Sequence, residues 1–329
     1  MENTTPTITV YGCGGAGCNI LRKFIAGPKV ANIAYKAIDT AQSNFKDLPD
    51  VELIAIHDLG SGRNRGKCYG IIRSYFEKHP DLIRKASDIT VLVCSMSGGS
   101  GNVIASTMTN MLYRHDKGKV VVVIGVCDGS SQVDTLNSIA ALKTFEKIAK
   151  DLKVCVPFML FSNTILYEDN PKPGKANVDG TVVSRLFQLL DLLTNQSITE
   201  LDYTDKMTFL RPHETGCEPG ICTLAITGSN GTVREHLPGE VDLFIGDMTI
   251  IHGLMAVNQG GTVPDILTTT SYVGAGPTTY IAAIQPGIPS ALTEDLSDTA
   301  DKYLSSPVSK SGTAELDRFN MQDGGGIIL

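Results

Sequence analysis

Two apolar runs of this chain each end in a glycine-rich turn that opens directly into a helical pattern. ITVYG (Ile8–Gly12) runs into Gly12-Cys13-Gly14-Gly15-Ala16-Gly17, and ITVLVC (Ile89–Cys94) runs into Ser95-Met96-Ser97-Gly98-Gly99-Ser100-Gly101-Asn102. A strand followed at once by a helix is half of a parallel-sheet crossover unit. Further units follow the same rhythm. Tyr35–Asp39, Val51–Ile56, Val120–Cys127 and Val154–Asn163 read as strands, and Asn19–Ala26, Cys68–Lys78, Val103–His115 and Leu136–Leu152 as helices. The expected fold class is therefore α/β, with a parallel sheet covered on both faces.

The organisation changes along the chain. Glu168–Gly180 is a loop rich in Pro, Gly and polar residues. The helix that follows, Val182–Ser197, is apolar nearly all round and is expected between two units rather than on a surface. Beyond Leu210 the pattern suggests a second, smaller α/β domain, and after about Ala291 a polar, extended tail that ends on apolar Ile327, Ile328 and Leu329. The boundaries are 1–180 for the first domain, 181–198 for the central helix, 199–290 for the second domain and 291–329 for the tail.

Composition bounds the functional classes. A net charge of −7 argues against general nucleic-acid binding, and no apolar run reaches membrane-helix length. The polar start MENTTPT is not that of a signal peptide, so a cytoplasmic location is expected. Eight cysteines without a C-x-x-C pair read as reduced thiols, several of them core residues, and six histidines show no metal spacing. No protein metal ligand is assigned.

The glycine turns carry the functional argument. Gly12, Gly14 and Gly17 fit G-x-G-x-x-G, with Asp39 about twenty residues on, where a ribose-binding acid of a dinucleotide site or a strand-end cap would stand. A dinucleotide needs only one such turn. Two turns at the carboxyl edge of one sheet make a larger anion site, suited to a di- or triphosphate. A third loop, Gly60–Arg65, adds Gly62 and the cations Arg63 and Arg65, which read as surface charge or as phosphate contacts. SGRNRGKC (Ser61–Cys68) approaches a Walker A loop but has Ser61 for its first glycine and Cys68 for its Ser or Thr, so that reading is set aside.

These segments, taken in order, resemble the tubulin/FtsZ family and within it the phage-encoded group. Gly12–Asn19 is similar to the first nucleotide loop, Lys36–Asn44 to the following strand and loop, Ser95–Asn102 to the signature loop and Phe161–Asn163 to a guanine-contacting segment. Val182–Gln196 is similar to the long central helix, and ELDYTD (Glu200–Asp205) to the acidic loop after it. Ser97, Ser100 and Asn102 depart from the signature pattern, and Glu200 stands where that loop has Asn.

The resemblance covers about residues 8–290 and implies a Rossmann-like GTPase domain that binds GTP or GDP with Mg²⁺. The implied nucleotide contacts are Gly12, Gly14, Gly15, Ala16, Gly17, Cys18, Asn19, Gly62, Ser97, Gly98, Gly99, Ser100, Gly101, Asn102, Asp134 (ribose) and Asn163 (guanine). Asp202 and Asp205 would orient the attacking water at the next subunit's nucleotide. The implied partner is the chain itself, stacked head to tail into filaments that position phage or DNA cargo, with the tail, through Asp317, Asp323 and its apolar end, either docking on a neighbour or remaining solvated. A plasmid-partition or division GTPase, an NAD-dependent oxidoreductase and a poorly hydrolysing scaffold remain as alternatives.

Overall fold

The computed structural model describes residues 5–27, 30, 32–57, 60–164, 175–194, 203–228, 233–234, 242–243, 249–252, 254–255, 270–273, 280–288 and 290–305. The first strands are β1 (Ile8–Cys13), β2 (Ile33–Asp39), β3 (Glu52–Ala55), β4 (Ile89–Ser95), β5 (Val120–Cys127) and β6 (Cys155–Ser162). Between them run helices α1 (Gly14–Ile25), α2 (Arg65–Lys78), α3 (Asp81–Arg84), α4 (Gly101–His115) and α5 (Gln132–Leu152). Then come α6 (Lys175–Thr194), α7 (Tyr203–Phe209), a 3₁₀ turn at Pro212–Thr215 and β7 (Gly220–Gly228). The short strands are β8 (Val233–Arg234), β9 (Asp242–Leu243), β10 (Thr249–His252), β11 (Leu254–Met255) and β12 (Thr270–Val273), before β13 (Tyr280–Pro286) and α8 (Ser290–Ser305).

The main sheet has the order β11-β13-β7-β6-β5-β4-β1-β2-β3. From β3 to β7 every neighbouring pair is parallel, whereas β13 runs antiparallel to β7. The order reverses between β1 and β4, and ligands of open α/β sheets bind at such a reversal, beyond the carboxyl ends of the strands.

Strand side chains alternate between two cores, as the period of two demands. On β4, Ile89, Val91 and Val93 face one core, while Leu92 and Cys94 face the other. The first core is closed by α1, α6 and α7 through residues such as Leu21, Leu186, Leu190 and Met207. The second is closed by α2, α4, α5 and α8 through Phe76, Met108, Phe145 and Leu296. No helix among the described residues is long and apolar enough to cross a membrane.

Several boundaries differ from the sequence reading, each for a physical reason. Part of the segment expected as a second domain does not form a sheet of its own: β7, β13 and β11 extend the first sheet. The central helix begins at Lys175, inside the segment read as a loop, because Val178 and Val182 continue its buried face. Residues 291–305, assigned to the tail, belong to α8, because Leu292, Leu296 and Ala300 place an apolar stripe at four-residue spacing within a polar stretch. Asp317, Asp323 and the terminal Ile327–Leu329 lie outside the described residues.

A candidate nucleotide site at the sheet reversal

A cleft of about 410 Å³ opens at the carboxyl ends of β1, β4, β5 and β6. Gly14, Gly15, Ala16, Ser97, Gly98, Ser100, Gly101, Asp134 and Asn163, all singled out in the sequence, line it. So do Arg63, Ser95, Asp128 and Asp179. Among the nucleotide contacts implied by the sequence, Gly12, Gly17, Cys18, Asn19, Gly62, Gly99 and Asn102 are not among the lining residues. Asp202 lies outside the described residues, and Asp205 is described only as a backbone position in α7.

The two glycine turns touch each other. Gly14 has φ +70°, the left-handed region that glycine adopts without strain. A Cβ on it would stand 2.7 Å from the Gly101 Cα, and a Cβ on Gly101 would stand 2.6 Å from the Cys13 carbonyl oxygen. Only two glycines let the starts of α1 and α4 approach this closely. Neither helix is capped by a side chain, whereas Asn64 caps α2 and Ser131 caps α5. The first turns of α1 and α4 thus keep backbone N–H groups for an anion, where the helix dipoles also favour one.

Side chains in and behind the cleft hold the turns in shape. Asn102 is fully buried at the start of α4. Its Nδ2 donates to the carbonyls of Met96 (2.8 Å) and Gly98 (2.6 Å), and its Oδ1 accepts from Arg65 Nε at 2.8 Å. Arg65, read from the sequence as surface charge or a phosphate contact, is therefore a buried brace. Asn137 Nδ2 donates to the carbonyls of Ser97 (2.9 Å) and Arg63 (3.2 Å), joining the second turn to the third loop. Ser100 donates its hydroxyl to buried Asp39 at 3.0 Å, and Asn19 accepts from Arg22 at 2.6 Å.

Asp39 also accepts from the Thr40 N–H and from Asn44. Its oxygens are committed within the protein, so it stands as the strand-end cap and is not presented to a ribose.

The far part of the cleft is rich in acceptors. Asp134 accepts from Arg63 at 3.1 Å and from the Ser131 hydroxyl at 2.5 Å. Asp179, from α6, accepts from Lys23 at 2.6 Å. Burial acts to raise the Asp128 carboxyl, but hydrogen bonds from Ser130 and Asn163, with the Arg63 charge, outweigh it and hold the group below its ordinary value. Asn163 donates from Nδ2 to Asp128 at 2.9 Å, while its buried Oδ1 has no hydrogen-bond partner. A buried acceptor without a partner is costly unless a ligand satisfies it. Cys13 lines the cleft too, but burial raises its thiol well above the ordinary value, so it is no nucleophile.

Sequence reasoning passed over Asp128 and Asp179. Asp128 had a signal, an acid one residue beyond β5 on the edge where the glycine turns lie. Asp179 had none, since it sits in a stretch that reads as a loop and reaches the cleft only through the packing of α6 on α1.

No family model matches the sequence. Over 221 residues the chain is 27% identical to the phage tubulin-like protein of Pseudomonas phage phiKZ, covering 62% of this chain and 63% of that one. The chain thus matches less than two thirds of the length of the curated relative. The structure is similar to that of the PhuZ201 filament, with a TM-score of 0.63 at 19% identity over 98% of this chain and 94% of the other. The phage tubulin PhuZ–GDP structure gives 0.62 at 19% identity, over 98% and 95%. The chain has the tubulin-like fold. That places the cleft at the sheet reversal of a tubulin-like core, and the oxidoreductase alternative is not favoured.

Proposed function

We propose that this tubulin-like chain is a GTP-dependent, filament-forming GTPase. The observation that carries the reading is the pair of uncapped helix starts, α1 and α4, packed glycine against glycine in the cleft that also holds the partnerless Asn163 Oδ1. Phosphates would lie on the backbone N–H groups of Gly14–Ala16 and Gly98–Gly101, with the Arg63 cation in the same lining. Asp134 would take the ribose.

The base end favours guanine. Asn163 Oδ1 and the Asp179 carboxylate are acceptors, and guanine offers N–H donors on its Watson–Crick edge where adenine offers an acceptor at N1. Mg²⁺ would be held mainly by the phosphates, because Asp39 and Asp134 already have partners; bound there, it would neutralise charge on the transferring group.

The relatives supply the assembly. One similar structure is of a filament, and a head-to-tail contact that does not close builds one. In the proposed filament, Asp202 and Asp205 of one subunit would position water at the γ-phosphate of the next. Aligning and polarising that water is most of what a protein contributes to phosphoryl transfer. Such a polymer would position phage or DNA cargo in a host cytoplasm.

Calorimetric titration with GTP, GDP, ATP and NADH tests the site. The expected result is tight binding of GTP and GDP, at least about tenfold over ATP, a difference of about 1.4 kcal/mol. NADH binding, or equal affinity for ATP, would overturn the reading.

A further inference from the structure

At the opposite end of the sheet, three cysteines converge from separate segments. Cys155 opens β6, Cys222 is the third residue of β7, and Cys217 follows the 3₁₀ turn Pro212–Thr215. All three are buried on the α6–α7 face of the sheet, and their sulfur atoms lie within 4.8 Å of one another. Among the described residues no other group of three metal-ligating side chains comes this close. The other cysteines, 13, 18, 68, 94 and 127, are also buried but form no such group.

We propose that Cys155, Cys217 and Cys222 form a binding site for a thiophilic d¹⁰ cation, Zn²⁺ above all. Zinc–thiolate bonds of about 2.3 Å in tetrahedral array put sulfur atoms about 3.8 Å apart, so the cluster has to close by less than about 1 Å. Three sulfurs and no oxygen donor select a soft or borderline ion over Mg²⁺ or Ca²⁺. The three thiols now hydrogen-bond one another, and Cys155 Sγ and Cys222 Sγ also meet the carbonyls of Glu218 at 3.3 Å and Gly220 at 3.9 Å; thiol hydrogen bonds are weak and give way to a metal ion. Binding one ion as three thiolates releases three protons to solvent. The fourth position is left to water; His213, whose Nδ1 accepts the Cys155 backbone N–H at 3.0 Å, is not among the converging ligand atoms.

The site would clamp three elements together: the roots of β6 and β7, and the turn that ends the segment begun by α7. That helix opens one residue after Asp202. Its metal content is independent of the cleft and of what the cleft binds.

The test uses the full chain, purified in reductant and stripped with chelator. Titration with Co²⁺ should give one saturable equivalent with thiolate-to-cobalt charge-transfer absorption, displaced by one equivalent of Zn²⁺. Zn²⁺ should also raise the melting temperature, reversibly with chelator. Cys217→Ser should weaken Co²⁺ binding at least about a hundredfold, while Cys68→Ser leaves it unchanged. Absence of the absorption in folded wild-type protein, or wild-type affinity in Cys217→Ser, overturns the proposal. Should Cys217→Ser not fold, alkylation of the wild type followed by mass spectrometry decides. Protection by Zn²⁺ confined to Cys155, Cys217 and Cys222 supports the site, and protection absent or spread over all eight cysteines overturns it.

Discussion

Replacing Asn102 with alanine tests how the second glycine turn is held. Asn102 does not line the cleft, yet its amide binds the turn from inside. Three short bonds are lost together, two to the carbonyls of Met96 and Gly98 at 2.8 and 2.6 Å and one from the Arg65 guanidinium at 2.8 Å, with a longer one to the Ser95 carbonyl at 3.4 Å. A neutral hydrogen bond is worth about 1 kcal/mol net and one to a charged group about 1.5–3 kcal/mol, so the loss comes to roughly 3–5 kcal/mol. Arg65 is itself only 6% exposed, which keeps water from replacing the lost acceptor at little cost. Against a typical stability of about 5–15 kcal/mol this is a large fraction. Urea unfolding without nucleotide, monitored by circular dichroism, should show the midpoint shift at unchanged slope. Asn19→Ala removes a single part-buried bond from the Arg22 guanidinium, which keeps its bonds to the Asn44 and Lys46 carbonyls, and should cost about 1–2 kcal/mol, less than Asn102→Ala. An Asn102→Ala loss below about 1 kcal/mol would refute the idea that this side chain builds the turn.

Other perturbations address the cleft itself. Gly101→Ala would place a Cβ 2.6 Å from the Cys13 carbonyl, forcing α4 off β1; GTP affinity should fall at least about tenfold by calorimetry. Gly62→Ala meets no neighbour, and its φ of +55° should cost about 1 kcal/mol of stability without altering that affinity. Asn163→Ala should weaken GTP about tenfold and leave ATP unchanged, as competition binding would show. Because Asp128 is held below its ordinary value, its contribution is fully present above about pH 4 and is lost as pH falls through the lower folded-state value. Asp128→Asn should therefore flatten the acid limb of melting temperature against pH below about pH 4, and leave it unchanged above.

The core strands were readable because they are apolar on both faces: Val120–Cys127 is β5 without adjustment, and Ile89–Cys94 falls one residue short of β4. Helix starts were read late. The periodicity placed α1 at Asn19 and α5 at Leu136, whereas they begin at Gly14 and Gln132. First turns built from glycine, serine and aspartate carry no apolar stripe, and those are the turns that form the cleft. Contacts between distant segments left no local trace. The Arg63–Asp134 pair and the bond from Asn137 to Ser97 span 71 and 40 residues. The cysteine cluster is of the same kind: Cys155 and Cys222 meet only because β6 and β7 are neighbours.

The claim that the site is completed between subunits is tested most directly by right-angle light scattering and phosphate release recorded together. Purified protein with GTP and Mg²⁺ would be followed across a series of protein concentrations. The account predicts scattering above a threshold concentration, with phosphate release rising at the same threshold. Turnover proportional to protein with no threshold would place the whole catalytic site in one subunit and contradict it.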